Sequence, residues 1–406
     1  MKLKGLYYGW FIVLGCFLVQ ALNSAAEFAP GVFLKPLVSY FECGRGDISG
    51  TFSLYILIIG SGSILSGKLS DKYGPRIVVT FNALLVGLGY ILLSQVNSLW
   101  QMYLVWVVIG IGGSGCWAPT VSTVARWFTK RRGMAMGIVV AGFAVGGMII
   151  PPFAQWLISS YSWQEAYLAL GVITLIILLP SAQFIKRSPQ QIGPKPLGEL
   201  EKAPQSMGNL SFIQLIKNRQ FWPLASTFLF FQFCCLLGYN HTVAYAIDTG
   251  MPEMVAATLM TIVASASLAG RLMIGFISDV FGSRLTLVYT LILFVTGFIL
   301  LMFTQQQWAF YPFAVVFGLT SGGVIALQGI MVADLFSSAS LGMGIGSVMA
   351  VGLTGAILGP IFGGYTFDVT GSYQLAWGGC VILGIVSILL SLKLSRSKGA
   401  KSEKGA

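Results

Sequence analysis

The decapeptide Gly67-Lys-Leu-Ser-Asp71-Lys-Tyr-Gly-Pro-Arg76 recurs in degraded form as Gly275-Phe-Ile-Ser-Asp279-Val-Phe-Gly-Ser-Arg284, 208 residues along the chain. Two more segments recur at nearly the same spacing. Pro151-Pro-Phe153 matches Pro360-Ile-Phe362, and Ser162-Trp-Gln-Glu-Ala-Tyr167 matches Ser372-Tyr-Gln-Leu-Ala-Trp377. Three matches at one spacing predict two structurally related halves of parallel topology.

The composition is that of an integral membrane protein. Hydrophobic residues make up 56% of the 406 positions, charged residues 9%, and the mean hydropathy is +0.81. A helix needs about 20 apolar residues to cross a bilayer. Segments of that kind follow one another along the chain, and we predict twelve spans, at 8–29, 49–68, 76–95, 99–123, 134–158, 164–185, 220–247, 254–278, 285–304, 308–330, 341–366 and 374–393.

The distribution of charge predicts the orientation of these spans in the cell membrane. With both termini inside, 21 of the 24 Lys and Arg residues fall on the cytoplasmic side, while Lys35 and Arg45 fall outside and Arg271 lies within a span. This is the positive-inside pattern. The net charge of +11 is thereby explained without a nucleic-acid partner.

The repeat and the spans predict four regions. Residues 1–185 form an N-terminal six-helix bundle and residues 220–393 a C-terminal one. The proline-rich stretch 186–219 between them reads as a cytoplasmic linker, whose last residues favour an interfacial helix. Residues 394–406 read as a disordered basic tail near anionic lipids.

Several other classes of protein are disfavoured. The N-terminus imitates a signal peptide, but its removal would leave eleven spans and spoil the repeat, so we interpret it as the first helix. The six cysteines show no paired framework. The sequence has no phosphate-binding loop and no metal-ligand cluster. We therefore expect no cofactor, no metal and no enzymatic activity.

The first decapeptide resembles the signature of the major facilitator superfamily, which joins helices 2 and 3 on the cytoplasmic side. The resemblance implies an all-α fold of twelve transmembrane helices in two pseudo-symmetric bundles. It also implies that Asp71 and Arg76, and less closely Asp279 and Arg284, belong to a cytoplasmic gate of charged residues. A charge cluster at the membrane edge can form in one state and break in the other.

Two further motifs resemble the signatures of the monocarboxylate transporters, especially of their bacterial homologues. They are Tyr8-Gly-Trp10 and Arg126-Trp-Phe-Thr-Lys-Arg-Arg-Gly-Met-Ala-Met-Gly137. Members of that family move lactate, pyruvate and similar short acids with a proton. The resemblance matches Arg271 to the arginine that binds the substrate carboxylate. It places Phe28 where animal members carry a lysine and Ser267 where they carry an aspartate.

Arg271 stands out on physical grounds alone. It is the only Lys or Arg deep within an apolar segment, about 12 Å from the membrane edge by the rise of an α-helix. A fixed cation at that depth costs several kcal/mol and usually faces a cavity, a partner or an anionic ligand. Snorkelling or a structural ion pair is the alternative, although the position one turn earlier is Ser267 and not an acid. We predict an anion site.

Other polar and aromatic side chains are candidates for the transport path. Gln20, Asn23, Ser24 and Glu27 have the spacing of one helical stripe, which must face either neighbouring helices or the path. The remaining candidates for substrate contact, each with packing as its alternative, are Tyr239, Asn240 and His241 on helix seven, with Phe28, Trp117, Phe143 and Gln328.

The proton carrier has three candidates. Glu27 and the single histidine, His241, are titratable groups inside predicted spans, and a proton carried by the substrate itself is the third possibility. The sequence therefore predicts a secondary transporter of small monocarboxylates, L-lactate first and pyruvate second, coupled to H⁺ and functional as a monomer.

Two alternatives stay open. The first is an organic-anion exchanger of the oxalate type without proton coupling, although span 341–366 lacks the second cation of such proteins. The second is a membrane sensor of the same fold that transports nothing.

Overall fold

The computed structural model describes residues 8–128, 132–186, 212–303, 306–336 and 341–395. Residues 396–406 of the predicted basic tail and most of the predicted linker lie outside these residues. Within them the protein is all-α. Its helices are α1 Gly9–Asn23, α2 Ala25–Phe28, α3 Pro30–Phe41, α4 Arg45–Tyr73, α5 Pro75–Leu93, α6 Leu99–Gly113, α7 Trp117–Trp127, α8 Arg132–Ser160, α9 Trp163–Phe184, α10 Phe212–Lys217, α11 Phe221–Asp248, α12 Glu253–Phe281, α13 Ser283–Phe303, α14 Phe310–Leu335, α15 Leu341–Thr370 and α16 Gln374–Leu392.

Ten stretches of the described chain are long and apolar enough to cross a membrane. α1 and α2 together form the first of them, Gly9–Phe28. The two predicted spans outside this set lie in α4, which has 29 residues, and in the pair α6 and α7. Ten of the predicted spans are therefore matched by an apolar helix of membrane length.

The helix predicted at 99–123 is interrupted between Gly113 and Trp117. A Cβ on Gly115 would lie 1.2 Å from Nδ2 of Asn82 on α5. The backbone thus approaches α5 so closely that only glycine fits, and the helix is broken into α6 and α7 at this contact.

The first predicted span, 8–29, corresponds to α1 and α2, and a further helix follows it. The helical run is broken at Ser24, whose hydroxyl donates to the Ala21 carbonyl at 2.7 Å, and again before Pro30, which opens α3. α3 then continues to Phe41, and the left-handed Glu42 (φ 50°) follows it. Residues predicted as an external loop are therefore largely helical.

The first compact unit comprises Met1–Cys43 and Gly50–Ala203. In it α1 packs on α8 and α9, and α5 packs on α6 and α9. Ile12, Val19 and Trp127 are among the fully buried residues of its core. This burial of apolar side chains fixes the positions of α1 and α7, which carry several candidate residues.

The second compact unit comprises Gly44–Ser49 and Pro204–Ala406. α11 packs on α15 and α16, α13 packs on α14 and α16, and α12 packs on α14. Small residues bring these helices together: a Cβ on Gly355 would lie 1.9 Å from the Leu229 carbonyl oxygen, and one on Gly270 would lie 2.0 Å from that of Leu319. Close approach of this kind favours helix association in lipid.

The two decapeptides adopt the same local structure. Gly74 separates α4 from α5 with φ +92°, and Gly282 separates α12 from α13 with φ +84°. Both values lie in the left-handed region, where a Cβ is unfavourable. Both copies of the decapeptide thus carry glycine at this position because the backbone there has a positive φ.

Candidate functional site

Arg271 lies within α12, about 15 Å from the end of the helix at Phe281 by helical rise. Its side chain is partly buried. Within the described residues, the Nε–H is buried and has no hydrogen-bond partner. Ser267, one turn earlier, is only 2% exposed, and Gly270 packs against α14. The guanidinium therefore retains an unused donor beside a tightly packed helix pair.

A buried donor without an acceptor is costly, and a buried cation more so. A carboxylate is the ligand that meets both needs, because a guanidinium presents parallel N–H groups that match its two oxygens. Arg271 is thus suited to bind an anion whose oxygens accept hydrogen bonds from the parallel N–H groups of the guanidinium.

α11 carries three of the predicted residues, each bonded differently. The Tyr239 hydroxyl donates to Oγ of Ser321 on α14 at 3.1 Å. Asn240 donates to the Leu236 carbonyl at 2.9 Å, while its buried Oδ1 has no partner among the described residues. Gln328, partly buried on α14, lies two turns beyond Ser321 on the same helix face.

His241 is fully buried and both ring nitrogens contact protein groups. Nε2 lies 2.8 Å from the Pro360 carbonyl oxygen and 3.3 Å from Oγ of Ser49, and Nδ1 lies 3.0 Å from the Tyr373 hydroxyl. Because a carbonyl only accepts, Nε2 carries the hydrogen. Nδ1 is then the acceptor, and Tyr373 donates to it.

Tyr373 can serve as that donor because it stays protonated. Burial raises the pKa of its hydroxyl above the ordinary value, although Arg45 beside it acts in the opposite direction. Arg45 in turn donates to the Tyr373 oxygen at 2.8 Å. No pattern in the sequence indicates this chain of bonds from Arg45 to His241.

In the sequence, only charged residues near the predicted membrane edge point to the bonds around Arg45. Arg45 is one of two cations predicted outside, and Asp248 ends α11. The structure pairs them in a salt bridge with N–O distances of 2.6 and 3.0 Å. Their pairing is long-range, so no local pattern in the sequence indicates it.

The polar stripe of the first helix divides into two parts. Gln20 and Ser24 are fully buried, and Gln20 donates to Oγ1 of Thr120 on α7 at 2.9 Å. Asn23 and Glu27 are only partly buried. Gln20 thus bonds to a neighbouring helix, whereas Ser24 bonds to the Ala21 carbonyl three residues earlier. The second pair lies on the more accessible part of the helix.

Three predicted aromatic residues lie together in the first unit. The rings of Phe28 and Phe143 are 5.5 Å apart, and those of Trp117 and Phe143 are 6.3 Å apart. Phe28 is buried, whereas Trp117 is 45% exposed. These three side chains therefore form one aromatic group within the first unit. Glu27 directly precedes Phe28 in the chain.

The predicted gate residues are held at helix ends. Arg76 donates from Nε to Oε1 of Gln183 at 2.8 Å, and one terminal nitrogen contacts the same oxygen. Arg284 donates to the Leu392 carbonyl, and Asp279 is exposed. The side chain of Asp71 is outside the described part of the structure. Both arginines thus tie the helix after the repeated glycine to the last helix of its own unit.

The protein resembles transporters in both sequence and structure. The family model for the Major Facilitator Superfamily matches residues 16–272 and 236–406. Monocarboxylate transporter 13 of Rattus norvegicus is 27% identical over 390 residues, covering 95% of this chain and 89% of the relative. Monocarboxylate transporter 12 of Homo sapiens is 27% identical over 421 residues, covering 94% and 80%.

A solved structure shares the fold. A bacterial homolog of the human lysosomal transporter Spinster, in an inward-facing and unoccupied conformation, matches with a TM-score of 0.71 at 15% identity, covering 96% of this chain and 95% of that one. The prediction of the family from the repeated decapeptide is confirmed. The chain belongs to the Major Facilitator Superfamily and is a membrane transporter, not an enzyme, with homology to the monocarboxylate transporters.

Proposed function

We propose that this protein carries small monocarboxylates, L-lactate first and pyruvate second, across the cell membrane together with a proton. The observation that carries the proposal is the unpartnered, buried Nε–H of Arg271 within an apolar helix. Leaving that cation unpaired in every state would cost several kcal/mol. A bound carboxylate offsets the cost, and homology to monocarboxylate transporters supports that class of ligand.

The count of cations supports one carboxylate rather than two. Residues 341–366 of α15 contain no Lys or Arg, so this helix offers no second charge for a dicarboxylate. The aromatic group of Phe28, Trp117 and Phe143 would face the apolar part of a short acid, since small-molecule sites are mostly apolar with few polar groups.

Coupling to protons would use a group that changes its exposure during the cycle. We propose Glu27 as the first carrier because it is partly buried within the first predicted span, where closure would disfavour its charged form. His241 is the second candidate. Its ring already contacts Pro360 and Tyr373, so it would have to exchange a protein partner for a proton. A proton borne by the substrate is the third.

The remaining parts of the proposal concern the whole transporter. We propose twelve spans with both termini inside, supported by the asymmetry of Lys and Arg. Transport proceeds by alternating access in a monomer. Asp71, Arg76, Asp279 and Arg284 form the cytoplasmic gate.

Uptake of labelled L-lactate into proteoliposomes, with and without an imposed pH gradient, tests the proposal. We expect accumulation with the outside acid and its loss when an ionophore dissipates the gradient. Exchange without any response to the gradient would identify an organic-anion exchanger. Absence of both in correctly folded protein would identify a sensor of this fold and contradict the proposal.

A further inference from the structure

Three buried side chains with polar atoms lie around one small cavity inside the first unit. They are Tyr90 of α5, Trp106 of α6 and Tyr167 of α9. The cavity leaves about 10 Å³ for the centre of a water molecule, close to the roughly 10–15 Å³ that one water molecule needs. We call it the Tyr90 cavity. Its other lining residues are Ala25, Ala29, Pro30, Phe33, Phe52 and Leu170.

Each of the three side chains has a polar atom that is buried and unpaired. Tyr90 and Tyr167 are 2% exposed, and Trp106 is 1% exposed. Among the described residues, neither phenol hydroxyl nor the indole N–H has a hydrogen-bond partner. Unpaired buried groups are unfavourable, and most buried polar groups in folded proteins bond to the protein or to an ordered water. Three such groups on one cavity therefore point to a shared partner.

Ring packing holds the three side chains in place. The Tyr167 ring stacks on that of Phe33 with the centres 4.0 Å apart and an angle of 12° between the planes, and it lies 6.2 Å from the Tyr90 ring. The Trp106 ring packs edge-on against that of Phe52 at 4.9 Å. Rotation of a side chain toward another acceptor would break these aromatic contacts.

The helices that carry these side chains are already in close contact. A Cβ on Gly171 of α9 would lie 2.8 Å from the carbonyl oxygen of Gly87 on α5, and one on Gly89 of α5 would lie 2.4 Å from Cγ1 of Ile109 on α6. Because protein interiors are close-packed, a shift of α5 that closed the cavity would press on one of these contacts. The shared partner must therefore enter the cavity.

Water fits the cavity better than an ion does. The lining residues carry no charge, and an anion buried without a cation costs far more than a neutral ligand. One water can accept from the indole N–H and from one phenol while it donates to the other phenol, so a single molecule completes all three groups. Buried waters typically make about three bonds of this kind, whereas dry cavities have apolar walls.

We propose that the Tyr90 cavity binds one ordered water molecule, which joins α5, α6 and α9 through Tyr90, Trp106 and Tyr167. The water gives three helices a common polar junction in a region that is otherwise apolar. Each hydroxyl then contributes to the stability of the unit. The inference concerns the first unit alone and does not rest on the proposed transport function.

Removal of one hydroxyl tests the proposal by the sign of its effect. A hydroxyl bonded to the water stabilises the fold, so Tyr90→Phe and Tyr167→Phe should each lower the melting temperature in detergent by about 2–4 °C. A hydroxyl without any partner destabilises the fold, and its removal would leave the melting temperature unchanged or raise it. That result in either variant would overturn the three-helix junction.

The double variant tests whether the two hydroxyls share one water. Loss of one bond weakens the hold on the molecule that makes the other, so the protein with both substitutions should lose less than the sum of the two single shifts. Additive shifts would assign the hydroxyls to separate partners and contradict a shared water. Tyr161→Phe is the control, because Tyr161 is 69% exposed and its substitution should leave the melting temperature at the parent value.

Crystallography identifies the occupant directly. In crystals that resolve ordered waters, the parent should show one density peak within hydrogen-bond distance of both phenol oxygens and the indole nitrogen, and this peak should weaken or vanish in Tyr167→Phe. Crystals grown in bromide distinguish an anion, since bromide scatters anomalously and water does not. An anomalous peak in the cavity would overturn the proposal in favour of a halide site. Well-defined side chains with no peak between them would overturn it as well.

Discussion

At the scale of single residues, the site depends on which polar groups have found a partner inside the protein. Nε2 of Gln20 and the hydroxyl of Ser24 have done so, whereas the buried Oε1 of Gln20 has no partner among the described residues. The Nε–H of Arg271 and Oδ1 of Asn240 have not, within the described residues. Buried groups of this kind are rare and costly in folded proteins. For Arg271, we propose that a bound carboxylate supplies the missing acceptor.

We expect Arg271→Lys to lose L-lactate uptake nearly as completely as Arg271→Ala. An ammonium keeps the charge, but it cannot form two parallel hydrogen bonds with a carboxylate. Loss of a charged hydrogen bond of this type corresponds to about 1.5–3 kcal/mol, or roughly 10- to 150-fold in affinity. The measurements are initial uptake rate and substrate affinity in proteoliposomes.

Lys393→Ala is the charge-matched control for Arg271→Ala, because Lys393 is exposed just beyond α16. Its uptake should equal that of the parent. A normal uptake rate and a normal substrate affinity in the Arg271→Lys protein would rule out bidentate binding of the carboxylate by Arg271.

Glu27→Gln is expected to keep lactate exchange while losing accumulation driven by a pH gradient. An amide occupies nearly the same volume as the carboxyl but cannot carry the coupled proton. Counterflow exchange and gradient-driven uptake are measured in the same vesicles. His241→Gln is tested in parallel. Accumulation by both variants would exclude both side chains and leave the proton on the substrate.

At the scale of helices, glycine contacts decide how closely neighbours pack. α15 offers two contrasting positions. A Cβ on Gly355 would lie 1.9 Å from the Leu229 carbonyl oxygen of α11, whereas one on Gly346 would meet nothing within 4 Å. The same substitution in one helix therefore separates the effect of packing from the effect of helix propensity.

We expect Gly355→Ala to destabilise the protein by about 1–3 kcal/mol, because α11 and α15 must move apart to accept the methyl group. Gly346→Ala should be neutral or slightly stabilising, since alanine favours a helix over glycine by up to about 1 kcal/mol. Thermal unfolding of both variants in the same detergent tests this. Equal melting temperatures would show that the helix pair adjusts freely.

At the scale of the whole molecule, transport requires two access states of similar free energy. The repeated decapeptides place acids and arginines at equivalent helix ends, and Arg76 is tied to Gln183 while Arg284 is tied to the Leu392 carbonyl. Charges at such junctions can bias the balance of states by a few kcal/mol without touching substrate.

Asp71→Asn should shift the balance of inward- and outward-facing states while leaving substrate affinity within the favoured state nearly unchanged. The carboxylate is expected to belong to one state of the gate, so its neutralisation removes a contact from that state alone. Cysteine accessibility from both sides of the membrane measures the balance. Glu165→Gln, an exposed acid at the start of α9, is the control. Unchanged accessibility with weakened binding would place Asp71 in the substrate site.

The sequence by itself determined the family, the all-α class, the position of most helices and the unusual status of Arg271. These features are local or periodic: apolar runs of membrane length, a repeated decapeptide, and one cation within an apolar segment. The family is confirmed by the match along nearly the whole chain. The structure explains the repeated glycines, because Gly74 and Gly282 both have a left-handed backbone conformation.

Only the tertiary structure decided which polar groups are partnered and where helices break. The gap between α6 and α7 depends on Asn82 of another helix, the division of the Gln20 stripe depends on Thr120, and the bonds of His241 depend on Pro360 and Tyr373. Arg45 finds Asp248 203 positions away. Such pairings arise because separate helices bury their polar groups against one another, and no short-range pattern along the chain encodes the partner.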